Sequence, residues 1–174
     1  SEQLPWITKM MISLSNFLQF WRWALVLLVL GGALAFRVLY RIFLPLRVLV
    51  DKIQLLLPVI APVVKGFALY KFCKMMGQFL RSGLSSVQGL DTMVPAFGNF
   101  FYQKKLLEMR RDLEIGFSLA ETMEGSRLFD SILQQIVTVG EKTGETGSLL
   151  RSMAEYYRTR VDNDLAVLTA FVEP

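Results

Sequence analysis

A chain of 174 residues that is 53% apolar has room for one modest domain, yet carries more apolar side chains than a water-soluble domain of that size uses. Histidine is absent and Cys73 is the only cysteine, which removes the commonest general base and metal ligand together with any intrachain disulfide, zinc cluster or paired-cysteine redox centre. The net charge of +4 conceals two opposed halves: residues 37–111 carry twelve Lys and Arg against three acids, and residues 112–174 carry eleven acids against five bases.

Residues 1–16 have few charges and scattered apolar positions, and are expected to lie along a membrane face or emerge from it. Residues 23–36, WALVLLVLGGALAF, run fourteen positions without a charge, somewhat short of the roughly 20 residues a bilayer demands. The flanks supply the remainder. Trp21 and Trp23 suit the interfacial aromatic belt, and Arg22 and Arg37 have stems long enough to snorkel, so a transmembrane helix is predicted over 17–44. Arg37, Arg41, Arg47 and Lys52 follow the uncharged run 23–36 whereas only Lys9 and Arg22 precede it, which places the carboxyl-terminal side in the cytosol.

Pro45 opens a juxtamembrane amphipathic segment over 45–61, whose Arg47 and Lys52 favour the membrane surface. From residue 62 onward, Pro, Gly and capping residues cut the chain into helices. The first starts near Pro62 and stops before Gly83. Ser85 with Gln88, and Ser118 with Glu121, have capping-box spacing; Asn99 and Asp130 are predicted N-caps. A last, long helix carries an apolar stripe from Leu149 through Leu150, Met153, Ala154, Tyr157, Val161, Leu165 and Leu168 to Val172. No period-two pattern persists, so the expected fold is all-α: one transmembrane helix followed by a cytosolic antiparallel six-helix bundle over 62–174. Cys73 and the methionines are expected to fill its core.

The turn at 140–147, GEKTGETG, lacks both the spacing of a phosphate-binding loop and a preceding strand, so it reads as a helix connection. Glu141 nevertheless stands where a carboxylate opposes the negative end of a helix, and a cation from the bundle or another subunit is the expected offset. Gly140 beside it would let another helix approach. Gly140, Glu141, Gly144 and Glu145 are therefore the candidate partner-binding residues. The acids Glu114, Glu121, Glu124, Glu145, Asp162 and Asp164 have no calcium-loop spacing and read as a solvated face, so no metal site is assigned. Without histidine, an evident nucleophile or a cofactor motif, no catalytic or cofactor-binding residue is assigned either, and the chain does not read as an enzyme. The basic residues Lys71, Lys74, Arg81, Lys104, Lys105, Arg110 and Arg111 lack a recognition-helix signature; membrane lipids or an acidic partner suit them better than nucleic acid.

These pieces, in this order, resemble the second half of the type II secretion F family, the platform proteins that include PilC-type pilus assembly proteins. LPWITKMMISLSNFL is similar to the family's short periplasmic segment; LLPVIAPVVKGFALYKF and RSGLSSVQGL match the first bundle helix and its turn. VGEKTGETGSLLRSMAEYY, followed by Glu173 and Pro174, is the most specific signature. Thr146 and Gly147 replace the Leu and acid usual in that turn, and Asp130 replaces a common Pro. The resemblance implies an inner-membrane scaffold, with residues 1–16 periplasmic, that couples a cytosolic assembly ATPase to insertion of pilin or pseudopilin subunits. It further implies other inner-membrane assembly proteins as partners, a homo-oligomer, and a longer parent protein. A membrane-anchored helical adaptor or sensor unrelated to secretion is the alternative. On the platform reading, charge reversal at Glu141 should abolish filament assembly and leave the bundle folded.

Overall fold

A computed structural model describes residues 26–32 and 44–172. The chain divides into two units, Ser1–Arg47 and Val48–Pro174. In the first unit residues 26–32 (α1) are helical, with Val26, Leu27, Leu28, Val29 and Leu30 exposed. Most of the expected 17–44 span lies outside the described residues. No described helix is by itself long and apolar enough to cross a membrane. The pair Arg47–Leu56 and Ala61–Arg81 is, taken together, but is bent by 106° at its break. The second of these helices sends Leu69, Phe72, Cys73 and Met76 into the protein's own core, as a core helix does.

Among the described residues every regular element is helical. After α2 (Leu44–Leu56) come α3 (Ala61–Arg81) and α4 (Ser86–Met93), the latter continued by a 3-10 turn at Val94–Ala96 that carries Pro95. Then follow α5 (Phe100–Glu114), α6 (Leu119–Met123), α7 (Ser131–Thr143) and α8 (Thr146–Val172). Their starts are written locally. Pro62 sits in the first turn of α3, where its missing N–H costs nothing. Ser85 and Gln88 form a complete capping box on α4, as Ser118 and Glu121 do on α6. Asn99 accepts from Phe101 and Tyr102 N–H to start α5, and Asp130 accepts from Leu133 N–H to start α7.

The core of the second unit is built around α3 and α8. Phe72 and Met76 of α3 meet Leu90 and Met93 of α4, Leu106 and Met109 of α5, and Leu150 and Tyr157 of α8 in one buried cluster. Phe129 packs edge-on against Phe72 at 5.1 Å and against Tyr102 at 6.5 Å between ring centres. Met76, Met93, Met109, Met123 and Cys73 are fully buried and serve as filling, as the sequence suggests; burial also raises the Cys73 thiol well above its ordinary pKa.

Glycine sets how closely α3 and α8 approach. A Cβ on Gly77 would stand 3.0 Å from the Gly147 carbonyl oxygen, and one on Gly66 would stand 2.8 Å from Val161 Cγ2. The late part of α3 thus meets the start of α8 and the early part of α3 meets its middle, so the two helices run in opposite senses. The apolar stripe of α8 is buried only through Val161; Leu165 and Val167 are exposed.

Asp51, which sequence reading treated only as one charge among many, is almost fully buried. Its Oδ2 accepts the Phe100 N–H at 2.7 Å, and its backbone carbonyl accepts from Asn99 Nδ2 at 3.5 Å. A carboxylate on α2 thereby completes the N-terminal cap of α5, where negative charge is favoured.

Candidate partner-binding corner

The four candidate residues fall together at the corner where α7 turns into α8. Thr143 ends α7, Gly144 adopts φ +75° as its left-handed cap, and Glu145 N–H donates back to the Gly140 carbonyl at 2.9 Å. An L side chain at Gly144 would be strained. Gly140 is required for a different reason: a Cβ there would lie 2.7 Å from Thr146 Cα, so its absence lets the first residue of α8 fold back onto the last turn of α7. The expected close approach at Gly140 is present, made by the backbone of the very next helix.

Glu141 has an offset of another kind than the cation expected from sequence. Leu119 N–H donates to its Oε1 at 2.6 Å and Ala120 N–H donates to its Oε2 at 3.1 Å. Its carboxylate therefore spans from the negative end of α7 to the positive start of α6. Ser118 N–H donates to Glu121 Oε2 at 2.7 Å, and Glu121 N–H donates to Ser118 Oγ at 3.2 Å. The four N–H groups from 118 to 121, which a short helix leaves without intrahelical partners, are thus all satisfied by two carboxylates and one hydroxyl.

The other end of α7 is fastened as firmly. Asp130 Oδ1 accepts from Leu133 N–H at 2.9 Å and from the Tyr157 hydroxyl at 2.6 Å, with Arg160 at 4.0 Å from Oδ2. Burial first, and then the bond to Asp130, push the Tyr157 hydroxyl far above an ordinary tyrosine. Helix α7 is consequently held to α8 at its start and to α6 at its end.

What the corner offers to a partner is Glu145, which is exposed, whereas Glu141 is turned inward. An open cleft of about 390 Å³ lies beside it, lined among others by Arg81, Glu141, Glu145 and Ser148. A second hollow of about 470 Å³ shares Arg81 and adds Lys74, Arg151 and Glu155. The surface around the corner is therefore one of mixed charge. Since Glu141 neutralises the start of α6, charge reversal there would set a cation against two N–H donors. The two N–H groups at Glu141 predict a cost in stability for such a variant, so the exposed Glu145 is the position at which surface charge can be tested separately from folding. Among the described residues no group of three or more carboxylates or thiols gathers as metal ligands.

Residues 72–174 match the family described as type II secretion system (T2SS), protein F. Over 173 residues the chain is 28% identical to the type IV pilus assembly protein PilC of Pseudomonas aeruginosa, an alignment covering 99% of this chain and 46% of that protein. It is 32% identical over 173 residues to the type 4 fimbrial assembly protein PilC of Pseudomonas putida, covering 98% and 43% of the two. To the type II secretion system protein F of Vibrio cholerae it is 26% identical over 155 residues, covering 88% and 38%. The chain spans less than half the length of these curated relatives.

Proposed function

This chain belongs to the type II secretion system protein F family, and we propose that it forms part of an inner-membrane platform that couples a cytosolic assembly ATPase to the insertion of pilin or pseudopilin subunits. On this reading residues 17–44 cross the membrane, residues 1–16 face the periplasm and the helical unit lies in the cytosol. The chemistry belongs to the ATPase. The platform contributes a surface whose contacts differ between successive ATPase states, which is what differential binding requires if motion is to be transmitted.

The observation that carries this reading is the locked corner between α7 and α8. Glu145 projects from an element fixed at Gly140, Glu141 and Asp130, and it sits at the head of α8, which at 27 residues is about 40 Å long and packs along α3. A push at Glu145 would pass into helices that the Glu141 hydrogen bonds and the close approach at Gly140 fasten together. Family membership favours the platform over an unrelated adaptor or sensor.

The experiment is genetic. Deleting the gene in its host should abolish surface filaments or pseudopilus-dependent secretion, with wild-type complementation restoring them and Glu145→Lys complementation failing at equal protein level. Normal filaments and secretion in the deletion strain would end the proposal.

A further inference from the structure

In the second unit, α2, α3, α5 and the loop after α6 line an open groove of about 590 Å³. Five cations line it, Lys52, Lys65, Lys104, Lys105 and Arg127, against one carboxylate, Glu108, which stands 3.9 Å from Lys104. Leu55, Leu56 and Phe101 add apolar side chains to its lining. Other basic residues of this half are engaged within the fold: Lys71 donates to the Ala96 carbonyl and lies over the Phe97 ring, and Arg110 pairs with Asp91 and Glu114. The groove cations come from three helices and a loop, so the fold gathers them.

A second observation fixes the kind of partner. Next to the groove, Leu49, Ile53, Leu56, Leu57, Val59 and Ile60 are exposed along α2 and the turn into α3, and no acid occurs between Lys52 and Lys65. An apolar ridge beside a cationic groove matches a bilayer surface, where acyl boundary and anionic headgroup lie side by side. Chain length agrees. Seven residues lie between Phe36, the end of the apolar run, and Leu44, the start of α2, a reach of at most about 28 Å over eight Cα steps.

We propose that this groove holds anionic phospholipid headgroups while the α2–α3 ridge enters the acyl boundary, so that the helical unit is seated on the membrane face and does not hang free from its anchor. This rests on the membrane placement proposed above. An acidic protein would satisfy the cations and leave the ridge unexplained.

The test places a thiol-linked environment-sensitive fluorophore at Leu56→Cys or, separately, at Leu30→Cys in the full chain; Cys73 is buried and stays unlabelled. Protein is reconstituted in phosphatidylcholine vesicles with or without phosphatidylglycerol, and quenching by spin-labelled lipid is read. The Leu30 label reports the span and should be quenched in both vesicles. The Leu56 label should be quenched strongly only with phosphatidylglycerol, and high salt should reverse it. Lys104→Gln with Lys105→Gln should lower the ratio of seated to free protein about 30-fold. A quenched Leu30 label with a Leu56 label indifferent to lipid composition and salt would overturn the proposal and leave the groove to an acidic protein. An unquenched Leu30 label would overturn the membrane placement itself, and this proposal with it.

Discussion

Replacing Glu141 by Ala removes the acceptor of two N–H groups at once, at 2.6 and 3.1 Å, and leaves the start of α6 facing the start of an apolar core at Leu119 and Met123. Hydrogen bonds to a charged acceptor contribute about 1.5–3 kcal/mol each. Glu141 is only partly buried, so water recovers some of that loss, and a net cost of about 2–4 kcal/mol is expected. For a unit of this size that corresponds to a melting temperature lower by about 10 °C. Glu141→Gln keeps one carbonyl acceptor and should lose about half as much. The assay is thermal unfolding of the full chain in detergent by far-ultraviolet circular dichroism, joined to hydrogen exchange at the Leu119 and Ala120 amides. Glu145→Ala, one turn away and exposed, is the control and should stay within about 0.5 kcal/mol of the parent. If Glu141→Ala and Glu145→Ala melt alike, and the two amides exchange no faster, the clamp between α7 and α6 has no energetic weight and the reasoning fails.

Three further outcomes follow from the packing. Gly77→Ala and Gly140→Ala each drive a methyl into backbone, the Gly147 carbonyl and Thr146 Cα respectively, and should cost about 1–3 kcal/mol. Gly147→Ala meets Arg81 Cγ and then the backbone of α3 and should cost a similar amount; melts like the parent's for all three would contradict the crossing described. Asp51→Ala should destabilise by about 2–3 kcal/mol and speed exchange of the Phe100 amide, whereas unchanged exchange would show that α2 does not cap α5. Tyr102 and Tyr157 hold their protons far above the ordinary tyrosine range, chiefly through burial, so the folded state keeps protons that the unfolded state releases. Their contribution is therefore complete below pH about 10 and lost as pH rises beyond it. Unfolding titrations should show that decline, and Tyr157→Phe should make it shallower; an unchanged slope would contradict it.

What the sequence discloses is what neighbours settle. Ser85, Asn99, Ser118 and Asp130 cap helices whose first N–H groups lie two or three residues away, so spacing alone identifies them. The core stripe of α8 is legible by period, but not its limit: Val161 is buried and Leu165 exposed because the partner helix α3 begins at Ala61, opposite that point. Glu141 and Asp51 were beyond reach for a common reason. Each caps a helix start that lies 21–22 or 49 residues away in sequence, and a helix N-terminus is a positive charge that no residue letter spells. A search for Lys or Arg opposite Glu141 could not have found it. Gly77 shows the same limit, since a glycine inside a helix reads as a weak point until the crossing with Gly147 gives it a reason.

The coupling proposal meets its most direct test in a titration of the full chain, reconstituted in lipid nanodiscs and labelled, with the cognate assembly ATPase in the presence and absence of ATP. Saturable binding whose affinity depends on nucleotide, and which Glu145→Lys weakens at least tenfold without lowering the melting temperature, is the predicted result. A folded chain that binds the ATPase in no nucleotide state would contradict the claim that this unit receives its motion at the corner of α7 and α8.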